Sequence, residues 1–232
     1  MLKKICSKEL NMQKICIFTL ILILVWWGMV LIPSYTSFDS TIKRLLMTVF
    51  LIFMLKYFDK DLKLKLTEMW SKFDFKNLIY SFIGIFIWLF AFWSLISQKI
   101  CSFNFLNYNF ERCINLFVLS VYEELFFRGW VYTASWSLFD KCKTNKNKLF
   151  NKFSITLSEV KAIMLSSLFF AIIHLQAYIM ILNYNFLQTL SELIQVFFVG
   201  AFFALIFRKT KSVWNVILVH FFWDYILGIM VY

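Results

Sequence analysis

Long apolar runs separated by short basic segments are the feature that most limits how this chain can fold. The first run, residues 15–32, carries no charge and is long enough to cross a bilayer. Hydrophobic residues make up 61% of the 232-residue sequence, and there is a single proline. Soluble globular and disordered chains do not have this composition. The sequence therefore predicts an all-α fold, a polytopic membrane helical bundle with about seven transmembrane helices.

The predicted spans differ in how well they are defined. They lie at residues 15–32, 45–55, 77–97, 113–137, 162–182, 188–207 and 213–232. The second is short and crosses the membrane only if Lys43, Arg44 and Lys56 reach outward to the headgroups. The stretch 60–75 has apolar residues on one helical face with lysines between them. This pattern predicts either an amphipathic helix on the inner membrane surface or a loop that packs on the bundle.

The positive charge of the chain agrees with this arrangement of spans. The net charge is +11, and most of the 24 lysines and arginines fall in segments that the map places on the inner side. Because the membrane topology already explains where the positive charges lie, the net charge does not indicate nucleic-acid binding. We expect an integral protein of a bacterial cell membrane, with its N-terminus in the cytoplasm. No linker or second composition interrupts the sequence, so residues 1–232 are predicted to form a single membrane domain.

Three ionisable residues lie close together in the fourth predicted span: Glu123, Glu124 and Arg128. At membrane depth each costs about 2.5–3.5 kcal/mol on insertion scales, so each needs a partner or a function. Glu124 and Arg128 are four residues apart with the acid first, which predicts an ion pair. Glu123 points about 100° away from that pair. Because an unpaired carboxylate in a dry site suits a general base, we expect Glu123 to be the reacting group and Glu124 and Arg128 to support it.

The two histidines of the chain also lie inside predicted spans. His174 is in the fifth span, and His220 is in the seventh, four residues before Asp224 and on the same helical face. At 1.5 Å per residue, these three residues and Glu123 lie about 12–22 Å from the inner ends of their helices. A single polar residue in a span usually forms a hydrogen bond between helices. Several ionisable residues at the same depth indicate a site where their side chains meet.

The same residues fall into three motifs that resemble those of a known family. The motifs are EExxxR, FxxxH and HxxxN/D, at Glu123, Glu124 and Arg128, then Phe170 and His174, then His220 and Asp224. They resemble the CPBP family, the CAAX proteases and bacteriocin-processing enzymes, also called the Abi family of intramembrane endopeptidases. The resemblance covers residues 117–232. It places the motif-bearing catalytic core at 113–232 and leaves 1–112 as N-terminal helices without such motifs.

The resemblance implies hydrolysis of a peptide bond inside the membrane. It implies that Glu123 activates water with help from His174, and that His220 and Asp224 act at the oxyanion. Asp224 stands where an asparagine is common. An ionised aspartate cannot donate to an oxyanion, so Asp224 is expected to be protonated, to orient His220 or to bind a metal.

The cofactor requirement has two alternatives at this stage. Two glutamate or aspartate residues and two histidines can form a site for zinc or another divalent metal. The candidate ligands are Glu123, His174, His220 and Asp224. We favour a glutamic mechanism without a cofactor over a metal-dependent one.

Three functions are compatible with these residues. The leading interpretation is an endopeptidase that cleaves a hydrophobic or membrane-anchored peptide or protein, in bacteriocin or pheromone processing or in self-immunity. The second is a non-catalytic membrane protein, an immunity protein or a regulatory scaffold. The third is a proton-coupled transporter, since glutamate and histidine chains also form proton relays. The expected partners are the peptide substrate and the lipid bilayer.

Overall fold

A computed structural model gives the fold. It describes residues 37–58, 62, 64–91, 102–103, 110–141, 148–150 and 155–231, together with isolated positions between 13 and 28. Half of the predicted first span, nearly all of the N-terminal segment before it and residues 92–97 of the third span lie outside this part of the chain.

The described residues are mostly helical, which confirms the all-α class. The α-helices are α1 Ser37–Tyr57, α2 Leu66–Ser71, α3 Phe75–Ala91, α4 Phe110–Glu124, α5 Thr133–Lys141, α6 Leu157–Gln176, α7 Phe186–Thr210 and α8 Val213–Ile229. Two π-helical segments continue α4 and α6, namely Leu125–Tyr132 and Ala177–Ile181. Four short strands were not predicted: β1 Ser102–Phe103, β2 Lys148–Phe150, β3 Ile155–Thr156 and β4 Met230–Val231.

Two stretches of the described chain are long and apolar enough to cross a membrane. They are Leu157–Met180 and Phe186–Thr210, which correspond to the predicted fifth and sixth spans. Phe75–Phe86 and Val213–Leu227 are apolar but shorter. Many large apolar side chains also face outward, as is expected of a surface in contact with lipid. The full set of seven spans stays a prediction.

Helix α1 differs from its sequence prediction in length and in the direction of one side chain. The predicted apolar core was 45–55, whereas the helix has 21 residues, from Ser37 to Tyr57. Arg44 was expected to reach outward to the headgroups. Instead its Nη1 donates a hydrogen bond to Oδ1 of Asn115 on α4, against which α1 packs. The neighbouring helix thus offers Arg44 a polar partner that the sequence did not predict, and the crossing of the membrane by α1 stays a prediction.

The stretch 60–75 packs on the bundle, which was one of its two predicted interpretations. Its helix is only α2, and Met69 within it is completely buried. The ring of Trp70 meets that of Trp214 edge to face, with centroids 4.6 Å apart. These contacts face protein, so they favour a packed loop over a helix lying on the membrane surface.

Helix α8 is held at both ends. At its start, Asn215 exchanges two hydrogen bonds with the backbone of Asp74, at 3.0 and 2.6 Å, and Ser212 Oγ donates to the carbonyl of Lys72. At its end, β4 pairs antiparallel with β1, which precedes α4 in the chain. Buried hydrogen bonds of this kind resist any shift of α8 relative to the loop before α3.

The turn between α7 and α8 is fixed by a small ionic cluster. Arg208 Nε lies 3.1 Å from Glu159 of α6, and Lys211 Nζ lies 4.0 Å from the same carboxylate and 4.2 Å from the ring centre of Trp136. Burial lowers the pKa of Lys211 to about 8, and the nearby Glu159 opposes that shift. The cluster joins α5, α6 and α7 where the chain turns back into α8.

Helices α6 and α7 approach each other closely at Gly200. A Cβ atom added there would lie 3.0 Å from the Phe170 ring and 3.3 Å from the backbone of Ser167. Small residues let helix backbones come together in a membrane bundle, where packing replaces the hydrophobic driving force. The absence of a side chain at Gly200 therefore sets the distance between α6 and α7.

We expect Gly200→Ala to destabilise the protein by about 1–3 kcal/mol, because the added methyl group overpacks this contact. Gly129→Ala is the matched control, since its Cβ would make ordinary van der Waals contacts with side chains, 3.4 Å from Leu55 and 3.8 Å from Leu125, and alanine favours a helix by up to about 1 kcal/mol. Thermal unfolding in detergent, followed by circular dichroism, measures both. A Gly200→Ala protein that melts at or above the wild-type temperature would contradict the close approach.

Candidate active site

The acidic motif lies where α4 passes into its π-helical continuation. Glu123 and Glu124 are the last residues of α4, and Arg128 is in the π-helical segment Leu125–Tyr132. All three side chains are buried, and Glu124 and Arg128 are completely inaccessible to solvent. π-Helical turns are rare and occur frequently at functional sites. The local geometry therefore directs three ionisable groups into the interior of the bundle.

Glu124 and Arg128 form the ion pair that the sequence predicted. Arg128 Nη1 lies 2.9 Å from Glu124 Oε1. The other terminal nitrogen, Nη2, donates to the carbonyl oxygen of Gly200, at 3.0 Å. The close packing at Gly200 thus also brings a backbone acceptor within reach of Arg128. Removing one member of such a buried pair leaves an uncompensated charge and costs about 3–5 kcal/mol.

Aromatic rings surround the remaining surface of the Arg128 guanidinium. Its central carbon lies 4.8 Å from the ring centre of Phe170, 5.3 Å from that of Phe203 and 5.8 Å from that of Phe127. A cation over the face of an aromatic ring is stabilised, and the more so when water is excluded. Arg128 is thereby fixed by contacts from α6, from α7 and from its own helix.

His220 of α8 completes the buried network. Its Nδ1 lies 2.7 Å from Glu124 Oε1, the oxygen that also accepts from Arg128. An ionised carboxylate can only accept, so Nδ1 carries the hydrogen and donates it. This contact was not predicted, because helical spacing connects Glu124 to Arg128 alone. It fixes the orientation of the imidazole and leaves Nε2 as the nitrogen that faces the rest of the site.

Two carboxylates converge on Nε2 of His220. Glu123 Oε2 lies 3.7 Å away, and Asp224 Oδ2, one turn further along α8, lies 3.4 Å away. The Glu123 side chain is 6% exposed and that of Asp224 is 23% exposed, so the site is more open on the Asp224 side. The arrangement places an acid–base imidazole nitrogen between two oxygen acceptors. Such a set of groups can take a proton from one reactant atom and give one to another.

His174 lies beside this network without joining it through hydrogen bonds. Its Nδ1 is 2.6 Å from the carbonyl oxygen of Phe170, one turn earlier in α6. Its ring centre lies 4.9 Å from that of Phe170, which in turn lies 5.8 Å from the ring of His220. Among the described residues, no hydrogen bond or ion pair connects His174 to Glu123. The two imidazoles therefore share one aromatic neighbour.

Two further contributors come from α7, and the sequence assigned neither of them a role at the site. Gly200 supplies the carbonyl for Arg128, and Phe203 packs against the His220 ring with centroids 4.8 Å apart. The hydrogen bond of a backbone carbonyl cannot be predicted from the identity of its residue. The available signal was the glycine itself, since it interrupts an apolar run where a small residue implies close packing.

The candidate metal ligands do not form a recognisable metal site. Within the ranges that the structure describes, no group of three or more histidine, cysteine, aspartate or glutamate side chains is arranged to hold an ion. Glu123 and Asp224 meet at Nε2 of His220, whereas Nδ1 of His174 lies against the backbone of its own helix. The hydrogen bond from Nδ1 of His220 to Glu124 leaves Nε2 as the only ring nitrogen of His220 that could bind a metal, and the metal requirement stays a prediction.

Comparison with known families agrees with these motifs. The model of the family described as type II CAAX prenyl endopeptidase Rce1-like matches residues 107–226, slightly more than half of the chain. The match contains every residue of the candidate site and confirms the resemblance seen in the sequence. No curated protein and no solved structure matches the chain. The family and the apolar helices together indicate an integral membrane protein. The chain belongs to the Rce1-like family of type II CAAX prenyl endopeptidases, and that membership implies that it is a protease.

Proposed function

We propose that this protein is an intramembrane endopeptidase in which Glu123 activates the attacking water and His220 assists at the same peptide bond. The observation that carries the proposal is the approach of Glu123 Oε2 to His220 Nε2, at 3.7 Å, inside a buried network. Glu124 and Arg128 hold the other side of that imidazole. Family membership supports the reaction type, and the geometry supports the assignment of roles.

The proposed reaction is a hydrolysis with two proton transfers. Glu123 accepts a proton from water as the water oxygen bonds to the carbonyl carbon of the scissile peptide. A hydrogen on Nε2 of His220 stabilises the negative charge that develops on the carbonyl oxygen. The C–N bond then breaks as the leaving nitrogen takes up the proton held by Glu123. The products are a new carboxyl terminus and a new amino terminus.

Asp224 and His174 have supporting roles in this proposal. Asp224 lies 3.4 Å from Nε2, so it favours a protonated imidazole and helps to orient it. Of the three roles expected from the sequence, its position supports the orientation of His220. His174 packs against the Phe170 ring, which also contacts the His220 ring, and is proposed to contact the water or the substrate peptide rather than the Glu124–Arg128 pair.

The proposed substrate is a hydrophobic or membrane-anchored peptide. The site is enclosed by apolar helices, which favours a peptide segment that already lies in the bilayer over a soluble one. The family description, type II CAAX prenyl endopeptidase, supports a farnesylated CAAX peptide as one candidate substrate. Bacteriocin precursors, pheromone precursors and immunity functions are further proposals for the biological role. Nothing in the described contacts favours the scaffold or the transporter interpretation over hydrolysis.

The first test is the isosteric variant Glu123→Gln. We expect kcat to fall by about 10²–10⁴-fold, because the amide cannot accept the proton of water. Purified protein in liposomes would be supplied with two peptides of equal length. One would be farnesylated and end in a CAAX sequence, the other would be an unmodified apolar peptide, and mass spectrometry would identify the products.

The matched control for that variant is Glu111→Gln, on the same helix but exposed. It should keep wild-type turnover. Hydrolysis that survives Glu123→Gln at normal levels would refute the proposed base. Cleavage of neither peptide by the wild-type protein, combined with Glu123-dependent uptake of a labelled solute, would support the transporter interpretation instead.

A second prediction separates the structural role of the ion pair from its role at His220. Glu124→Leu alone should cost about 3–5 kcal/mol of stability, since Arg128 is left buried without its partner. Adding Arg128→Met should restore much of that stability. Turnover of the double variant should stay at least about 10²-fold low, because His220 has lost the acceptor that orients it. Thermal unfolding and turnover measured on the same samples would show the separation, and recovery of both together would contradict it.

Metal removal is the third test. A glutamic mechanism predicts that dialysis against EDTA and then 1,10-phenanthroline leaves kcat unchanged. The control is a zinc protease treated in the same liposomes. Loss of turnover that zinc or another divalent ion restores would show that the protein is metal-dependent.

A further inference from the structure

A buried hydroxyl group of α6 contacts the backbone of the π-helical segment Leu125–Tyr132. Ser166 Oγ donates a hydrogen bond to the carbonyl oxygen of Phe127, at 2.9 Å, and both residues are almost completely inaccessible to solvent. Ser166 belongs to none of the three motifs, and the proposed reaction gives it no role. The two residues are 39 positions apart in the chain, so this bond links α6 to the backbone of the segment that carries Arg128.

A π-helical segment in an apolar bundle needs donors of this kind. Where an α-helix passes into π-helical turns, the backbone pairing changes from residues four apart to residues five apart. In a membrane bundle, serine and threonine hydroxyls satisfy the backbone groups that such a change frees. Thr133 donates to the carbonyl oxygens of Gly129 and Trp130, later in the same segment. Ser166 supplies the equivalent donor to Phe127 from a different helix, and its position favours the π-helical form of the segment.

The side chain of Phe127 is also packed against α6. Its ring meets that of Phe170 edge to face, with centroids 5.0 Å apart. Phe170 lies four residues after Ser166 in the same helix, so the two residues are on one helical face. The backbone and the ring of Phe127 are therefore both fixed to α6.

The position of Arg128, the next residue in the chain, depends on this turn. Its guanidinium contacts Glu124 Oε1 at 2.9 Å and the carbonyl oxygen of Gly200 at 3.0 Å. A return of the segment to α-helical pairing would rotate Arg128 about the helix axis relative to Glu124. The arginine would then meet its partners in a different geometry. Because Glu124 Oε1 also accepts from His220, the orientation of the imidazole would change with it.

We propose that Ser166 is a positioning residue of the active site: by donating to the Phe127 carbonyl, it stabilises the π-helical turn that places Arg128. The inference rests on the endopeptidase function proposed above, because the groups that the turn places are those that orient His220. Ser166 acts through the backbone of the neighbouring helix and not on the substrate. It extends the functional part of α6 one turn before Phe170, beyond the sequence motifs.

The test compares two adjacent serines in the liposome assay. Ser166→Ala should lower kcat by about tenfold, which corresponds to about 1.4 kcal/mol, and leave KM within about twofold, because it removes one buried hydrogen bond away from the substrate. Ser167→Ala is the matched control and should keep wild-type kcat. Ser167 is equally buried, but its Oγ donates to the carbonyl oxygen of Ile163 within α6, at 2.7 Å. Wild-type kcat in Ser166→Ala, or an equal loss in Ser167→Ala, would overturn the proposal.

A second pair of variants keeps the size of the side chain constant. Ser166→Thr retains the hydroxyl group, whereas Ser166→Val has nearly the same shape without it. Both add a methyl group, so the difference between them reports the hydrogen bond to Phe127, and kcat should be about tenfold higher in Ser166→Thr. This comparison also decides the question if Ser166→Ala does not fold. Equal kcat in the threonine and valine variants would overturn the proposal.

Hydrogen–deuterium exchange of the backbone amides gives a measurement that does not depend on catalysis. Ser166→Ala should raise exchange within residues 125–132 relative to the wild-type protein and to Ser167→Ala, and leave exchange in α8 unchanged. Unchanged exchange within 125–132, or an equal rise throughout the chain, would overturn the proposal.

The failure of this proposal is distinct from the failure of the proposed function. Turnover that survives Glu123→Gln means that the proposed base is wrong, and the exchange comparison still decides whether Ser166 stabilises the π-helical turn. An inactive Glu123→Gln combined with a fully active Ser166→Ala leaves the endopeptidase in place and removes only the role of Ser166.

Discussion

The structure depends on the burial of one cation. Arg128 is completely inaccessible to solvent, and the groups that stabilise it come from three helices: a carboxylate from α4, an aromatic ring from α6, and a carbonyl and an aromatic ring from α7. A guanidinium without these partners would be prohibitively costly in an apolar bundle. The helices must therefore pack in the arrangement that satisfies it, and the same arrangement brings His220 to Glu124.

The burial of Arg128 explains why the adjacent residues Glu123 and Glu124 have different roles. Glu124 has its oxygen Oε1 shared between Arg128 and His220, so it is committed to structure and orientation. Glu123 turns to the other nitrogen of the same imidazole, where the contact is longer. One helix thus supplies both the acid that orients the histidine and the acid proposed to react. The π-helical turn that follows them sets where Arg128 lies relative to both.

The sequence alone predicted the helical class, the Glu124–Arg128 pair and the grouping of Glu123 with His220 and Asp224, because helical spacing and the cost of buried charge are local properties. It did not predict the shared oxygen of Glu124 or the carbonyl of Gly200, which depend on how helices distant in sequence pack. The contact between Arg44 and Asn115 was not predicted either, because these residues lie 71 positions apart in the sequence. The short strands were missed because each has only two or three residues and pairs with a distant segment.

The two attachments of α8 limit how this molecule can admit a substrate. Asn215 and Ser212 bind the loop before α3, and the strand after α8 pairs with β1. Sliding of α8 along its own axis would break the contacts at both of its ends. These contacts therefore fix the position of His220 along the axis of α8. In the proposed hydrolysis of a membrane-anchored peptide, this fixed position would select the bond that is cut by its depth in the lipid.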